Sequence, residues 1–541
     1  MAVATQSIDA LVREHKANRE VLIAKEKERR HDFGFRQRMS PLAVEAAAVV
    51  REIREIEKVK VWSKVAESQE EVYSGMAFTL AKERMEKTLL WKVVKRMPKG
   101  ALLHSHFDAM CDMRWMCEAA IEMPDVLVSV PRPLLTSDDY ANAAAPTFKI
   151  GEVTTDSTPF TSASYEPGTF VPLASQITPS NREDFINYFI RHTTISIPES
   201  LSQHHGLHNI WRRFQAVFGV ILGISQYTPF FRKMVTRVMS QLAADGVRYV
   251  DIRTVFFVPE NPEDRHKGAF QQIAAFKEEL EAFKATPEGK NFWGARIIWT
   301  TLRIHSREYI EENMRYCVEV YKKFPDIIAG FDLVGQEDLG RPLVDLIPEL
   351  KYFETLCAQE GVTIPFFFHA GEVNSDGDVH DENLFDAILL GTKRIGHGFS
   401  MYKHPLLLEE VRERNICLEV CPISNEVLRL ASSILSHPLP SFMANGVAVA
   451  LANDDPGILG QGATGMSHDF FQVLQAFDNV GLEGVGDLVE TSVMFAAFEG
   501  EEVGVVKPGG LREKYLKELR EEWEEFYKWI VEEIKPSVAT L

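Results

Sequence analysis

The chain has 541 residues, 45% of them hydrophobic and 25% charged, with a formal net charge of −19. Apolar content at this length supports a large packed core, which excludes disorder as the default state and fits one barrel with additions. The acidic balance argues against a nucleic-acid backbone as the main partner, since neutralising phosphates takes clustered Lys and Arg, and no uninterrupted apolar stretch approaches the roughly 20 residues that span a bilayer.

The first residues meet charge from Asp9 onward and hold no apolar core of a signal segment, so an intracellular location is expected. From Ile8 to about Arg96 the pattern is helical, and Pro41 after Ser40 fits a cap followed by a first helical turn. Two or more amphipathic helices are predicted there, a helical extension over residues 1–96. Their apolar faces have two outlets, packing on their own domain or self-association, and a homodimer through them is one expectation.

Met97-Pro98-Lys99-Gly100 closes that region and launches a strand into His104. Between about 118 and 205, Pro, Ser, Thr and Asp are frequent and periodicity is hard to find, as in an insertion or a long loop. Strand-like runs then recur: VRYVDIR ending at Arg253, ARIIWTTLR at Arg303, IIAGFDLVG at Gly335, TIPFFFHAGE at Glu372, KRIGHG at Gly398, ICLEVCPIS at Ser424 and VAVALANDD at Asp455. With ALLHSHFD they make about eight β-runs, the number of a (β/α)8 TIM-type barrel of class α/β, here over residues 97–541. The tail from Leu511 to Lys535 reads as an amphipathic helix on the outside. Six cysteines form no CxxC pair, so a disulfide scaffold is not expected.

Reactive side chains gather at the ends of these runs, and strand C-terminal ends form the active-site face of such barrels. His104 and His106 are separated by one residue, so on a strand both imidazoles point to one side; alone, the pair is equally well read as packed strand histidines. His369 follows three phenylalanines and Asp454 follows VAVAL, poor surroundings for polar groups without a partner. Three imidazoles and a carboxylate suit zinc better than the all-oxygen shells of calcium or magnesium. A metal held this way lowers the pKa of water to about 7.

Glu372, three residues past His369, is placed to pass protons to a substrate nitrogen, although a helix-start or surface Glu reads the same way. His397, between two glycines, is a candidate base for the attacking water or a structural turn histidine. Asp455 directs its side chain away from that of Asp454 if the strand continues, one toward metal and one toward substrate. His204, His205, His380 and His404 lack the strand-end context and read as surface or structural residues.

The motifs MPKGALLHSHFDA, FDLVGQED, HAGE, RIGHG and NDDP, in this order, resemble the adenosine deaminase superfamily and its growth-factor-related branch in particular, over roughly Met97 to Gly460. The long helical N-terminus and the insertion after the first strand are similar to that branch. The resemblance implies that His104, His106, His369 and Asp454 bind one zinc ion per chain. It implies that Glu372 protonates the purine ring nitrogen next to the reacting carbon and that His397 assists the attacking water. Asp455 would hydrogen-bond the purine on its five-membered-ring side, the Gly335 backbone the far ring nitrogen, and Asp108 and Trp211 would lie near the ribose. Two features depart from the branch: there is no cysteine between Cys117 and Cys317 for its usual disulfide, and Asn453 stands where Ser or Thr often precedes the paired aspartates.

The expected activity is zinc-dependent hydrolytic deamination of adenosine or a close analogue, a small-molecule purine nucleoside. The alternatives are deamination of adenine, an N6-substituted adenine or an adenine nucleotide, and a non-catalytic binding or signalling protein on the same fold.

Overall fold

The computed structural model describes residues 7–63, 71–152, 158–202, 206–259, 264, 266–539 and 541; His204 and His205 lie outside this set. Its strands are β1 (Gly100–Leu102), β2 (Val126–Ser129), β3 (Thr147–Ile150), β4 (Val171–Pro172), β5 (Val247–Val255), β6 (Gly294–Leu302), β7 (Ile328–Val334), β8 (His369–Ala370), β9 (Arg394–His397), β10 (Cys417–Val420) and β11 (Ala448–Leu451).

Eight of these are parallel and form two four-stranded sheets, ordered β1-β5-β6-β7 and β11-β10-β9-β8. Single bridges close them into one barrel. Ser105 pairs with Asp454 beyond the ends of β1 and β11, and Phe331 of β7 pairs with Phe366 ahead of β8. Strands β1, β7, β9, β10 and β11 are buried along their whole length, as parallel strands covered by helices must be.

Each predicted β-run carries one of the barrel strands, including the short KRIGHG. Two bounds differ. The regular part of TIPFFFHAGE is only His369–Ala370. ICLEVCPIS leaves the strand at Val420, and Pro422 takes the first position of the helix Pro422–Val427, where its missing N–H has no partner to lose. Ser424 is therefore helical.

The region after β1 has more regular structure than its composition suggests. Strands β2, β3 and β4 form an antiparallel sheet ordered β3-β2-β4, and the same stretch of chain holds helices Ser137–Asn142, Leu173–Gln176, Arg182–Thr193 and Ile197–Leu201. Short strands lying among prolines and serines left too little alternation to detect.

Before the barrel lie helices Ile8–Arg29, Phe33–Gln37, Pro41–Lys60, Phe78–Met85 and Leu89–Arg96. Ser40 caps the third as expected, its Oγ accepting from the N–H of Ala43 at 3.1 Å. That helix is amphipathic and buries Ala43, Ala46, Val50 and Ile53 on a face packed against helices Gly481–Phe495 and Leu511–Trp529. Leu89–Arg96 likewise buries one apolar face, so the region holds the two amphipathic helices expected, whereas Ile8–Arg29 buries no residue at all and its charges are spread around the whole helix. Leu511–Trp529 is the predicted outer helix, burying Leu516, Leu519, Trp523 and Phe526.

Among the described residues no single helix is long and apolar enough to cross a membrane. Leu207–Ser225 and Thr228–Ala244 pass such a test only as a pair, which is bent by 112°.

Candidate metal centre and active site

Backbone pairing beyond the strand ends places the first ligands. The N–H of Asp454 donates to the His104 carbonyl at 3.2 Å, that of His106 to the Asp454 carbonyl at 3.1 Å, and that of Arg253 to the Ser105 carbonyl at 2.9 Å. His369 opens β8 and His397 closes β9, so all four histidines reach one end of the barrel. Gly396 makes room for them: a Cβ there would lie 2.8 Å from Cε1 of His104, closer than real contacts allow.

His397 and Asp454 both hold left-handed backbone, with φ of 60° and 57°. Such strain in residues other than glycine persists where the surroundings enforce it, most often at functional sites. The turn at Asp454 also means that the strand does not continue, so strand alternation does not part the two aspartates. Carboxylate oxygens of Asp454 and Asp455 and a ring nitrogen of His106 all lie within 4.8 Å of one another. The corresponding atoms of His104, His369, His397 and Asp454 form a second such set.

Beneath the histidines is a buried ionic layer. Nδ1–H of His104 donates to Glu419 at 2.8 Å, and Nδ1–H of His369 donates to Asp332 at 2.6 Å. Arg253 bridges the two acids, at 2.8 Å to Asp332 and 2.7 Å to Glu419; Arg394 joins Glu419 to Asp251. Despite burial, His369 and Arg253 hold the Asp332 carboxyl, and Arg253 and Arg394 the Glu419 carboxyl, well below the usual carboxylate range. Because ionised carboxylates only accept, both imidazoles donate through Nδ1 and turn the Nε2 lone pair toward the centre. Burial brings His369 down to about 3, so its ring is neutral.

The centre itself is short of positive charge. Nε2 of His104 and Nε2 of His106 lie 3.3 and 3.2 Å from Oδ1 of Asp454. Both Nε2 of His104 and Oδ1 of Asp454 are buried without a hydrogen-bond partner, while Ser424 Oγ donates to the other oxygen, Oδ2, at 2.7 Å. Lone pairs facing a carboxylate oxygen at this distance fit a cation between them, and three imidazoles with one carboxylate are a transition-metal donor set.

Glu372 is fixed by Glu337, whose carboxylate accepts the N–H groups of Gly371 at 3.0 Å and Glu372 at 2.7 Å. Burial pushes the Glu372 carboxyl well above its usual range, and the charges of Asp454 and Glu337 add to the rise. Its Oε1 stands 3.5 Å from Nε2 of His397. Burial and the Asp454 charge likewise push Asp455 upward.

From this centre a cavity of about 570 Å³ opens outward, within the roughly 300–1,000 Å³ of small-molecule sites. Asp108 sits in it, buried, with Oδ1 lacking a hydrogen-bond partner. Trp211, also buried, meets Phe214 edge to face at 5.3 Å and lines one wall. Gly335 lines it too, with φ of 106° that a side chain would strain. All ten residues singled out from the sequence thus border one continuous site, whereas His380 and His404 bond to Gly340 and Asp381.

The adenosine deaminase family model matches residues 182–503. Adenosine deaminase 2-A of Danio rerio is 31% identical over 455 residues, covering 84% of each chain. The chain belongs to the adenosine deaminase family. Among solved structures, the adenine deaminase of Arthrobacter aurescens superposes with a TM-score of 0.51 at 18% identity, covering 79% of this chain and 99% of its own. An amidohydrolase of Burkholderia ambifaria with bound Zn has a TM-score of 0.51 at 15% identity, covering 82% and 95%. At such identities these two show the barrel fold alone.

Sequence reasoning missed Asp251, Arg253, Asp332, Arg394 and Glu419, although each is a charge inside a β-run, and Asp332 and Glu419 stand in largely apolar ones. That position was the available signal, since a buried charge needs a partner. Glu337, Asn425 and His437 lie outside the strands and carried no such mark.

Proposed function

We propose that the chain is a zinc-dependent hydrolytic deaminase converting adenosine or a close analogue to the 6-oxo purine nucleoside with release of ammonia. The reading rests on one observation: partnerless His104 Nε2 and Asp454 Oδ1 face each other beside Glu372, whose carboxyl burial pushes well above its usual range. His104, His106, His369 and Asp454 would hold one metal, with zinc favoured by the donor set and by the zinc in the Burkholderia amidohydrolase. When bound, that ion supplies the charge that makes a water nucleophilic at neutral pH.

Glu372 gives its proton to the ring nitrogen beside the reacting carbon, a role that its raised carboxyl suits. Asp455, also raised, can donate to an acceptor nitrogen on the five-membered ring. The Gly335 backbone meets the far ring nitrogen, and His397 holds the attacking water. Asp108 and Trp211 enclose the ribose in the outer cavity.

Residues 1–96 are read as an extension to the 97–541 barrel, with the insertion at about 118–205. Six buried thiols, none in a disulfide, support an intracellular location. Self-association through the N-terminal helices is supported by exposed Ile8, Leu11, Val12, Val21 and Leu22 on a helix that buries nothing.

Ammonia release by zinc-loaded protein, measured on adenosine, adenine, N6-substituted adenines and AMP, tests the reading. Turnover highest on adenosine supports it, and none on any of these compounds overturns it.

A further inference from the structure

Proximity does not separate the ligand histidines from the others, because His397 joins His104, His369 and Asp454 in one set of atoms all within 4.8 Å of one another. Hydrogen-bond polarity does separate them. A buried chain of contacts ends at His397 and begins at a backbone amide that can only donate. The N–H of Leu439 donates to Nδ1 of His437 at 3.1 Å, so the single proton of that neutral ring is on Nε2. Burial brings His437 down to about 3, which keeps it neutral. Its Nε2–H donates to Oδ1 of Asn425 at 3.0 Å.

That contact fixes the orientation of the Asn425 amide, since only its oxygen can accept from Nε2–H. Nδ2 of Asn425 therefore faces Nδ1 of His397 at 3.2 Å and donates to it. His397 accepts on Nδ1 and carries its proton on Nε2. His104 and His369 have the opposite polarity, with protons on Nδ1 given to Glu419 and Asp332.

We propose that Asn425 and His437 are positioning residues that hold His397 as its Nε2–H tautomer, so that it offers the metal centre a donor and not a lone pair. Nε2 is buried, lacks a hydrogen-bond partner, and lies 3.5 Å from Glu372 Oε1 and 4.0 Å from Asp454 Oδ2. A donor there does not compete for the cation and holds the oxygen of the attacking water by its lone pair. Asn425 shares the helix Pro422–Val427 with Ser424, which holds Asp454, so one short helix orients a ligand and a non-ligand together. The catalytic consequence rests on the proposed deaminase function; the tautomer does not.

The test uses the full-length, zinc-loaded protein with 15N-labelled imidazoles, whose long-range proton–nitrogen correlations distinguish N–H from lone-pair nitrogens. The His397 signals are those absent from His397→Asn. The wild type should show His397 protonated on Nε2. Asn425→Asp is isosteric but offers only acceptors, and should move the proton to Nδ1 with kcat falling about 100-fold, KM within about threefold and metal content unchanged. His437→Gln, whose amide can both accept and donate, should keep the wild-type tautomer, whereas His437→Phe should leave a mixture. A wild-type His397 protonated on Nδ1, or an Asn425→Asp protein with unchanged tautomer, overturns the proposal. If Asn425→Asp does not fold, the wild-type spectrum still decides. The Nε2–H tautomer in a protein inactive on every adenine compound would overturn the deaminase reading and support this one.

Discussion

Nε2 of His104 faces Oδ1 of Asp454 at 3.3 Å while Nδ1 of that ring is committed to Glu419, and neither Nε2 nor Oδ1 has a hydrogen-bond partner. A cation between them would partner both. Purified protein should carry about one zinc per chain, and stripping it should lower the melting temperature, because a ligand bound only by the folded state stabilises that state. His369→Ala should lose both metal and activity by elemental analysis and ammonia release. Full zinc content in that variant would remove His369 from the ligand set.

Glu372→Gln should keep its zinc while kcat falls by about 10²–10⁴-fold, the range of a lost general acid. The amide preserves shape and the approach to His397, but has no carboxylic proton. Steady-state kinetics beside metal analysis would separate this from a binding defect, and an unchanged kcat would assign proton donation to another group.

Gly396→Ala tests the packing under the metal site. The new Cβ would meet Cε1 of His104 at 2.8 Å and Nδ1 at 3.1 Å, turning the ring away from Glu419. Disturbing an orienting partner of a metal-bound histidine weakens metal affinity by about 10–100-fold. Competition against a zinc chelator should read that loss, and wild-type affinity would mean that the ring has room to move.

Glu57 offers a stability test remote from the site. Burial pushes its carboxyl up to about 7 from 4.5, while Oε1 accepts the N–H groups of Leu89 and Leu90 and Oε2 has no partner. The folded state therefore holds the proton more tightly than the unfolded chain. This group's stabilisation is full below about pH 4.5 and is lost as pH rises through about 7. Glu57→Gln cannot ionise and keeps the acceptor, so its melting temperature should exceed the parent's by a few degrees at about pH 8. The gap should close near about pH 4.5. Calorimetry across that range would show a pH-independent gap if ionisation were irrelevant.

Sedimentation tests assembly. The full chain at micromolar concentration should run as a dimer, and a chain lacking residues 1–29 should shift toward monomer without losing its fold, since helix Ile8–Arg29 buries nothing. A full-length monomer would refute association through this helix.

The barrel and its reactive end were legible because parallel strands buried along their length leave unbroken apolar runs, and His369 and Asp454 stand out sharply against FFF and VAVAL. Asp332 and Glu419 also stood out against apolar neighbours, yet a charge in a run does not name its partner: Arg253 and Glu419 are 166 residues apart and meet only once the barrel closes. Asn425 and His437 were beyond reach for another reason. Polarity passed along hydrogen bonds is a property of contacts, and it leaves no pattern in the chain. The expected amphipathic helices before the barrel are Pro41–Lys60 and Leu89–Arg96, while Ile8–Arg29, densely charged, buries no face.

The bridge between Ser105 and Asp454 has a mechanical consequence. The two four-stranded halves of the barrel meet there through hydrogen bonds made by His104, His106 and Asp454, residues whose side chains also converge on the cation site. The cation would act as a clasp across the edge where the first strand of the barrel meets the last. In a chain whose reactive residues begin at His104 and end at Asp455, closing the circle and completing the catalyst would be a single event.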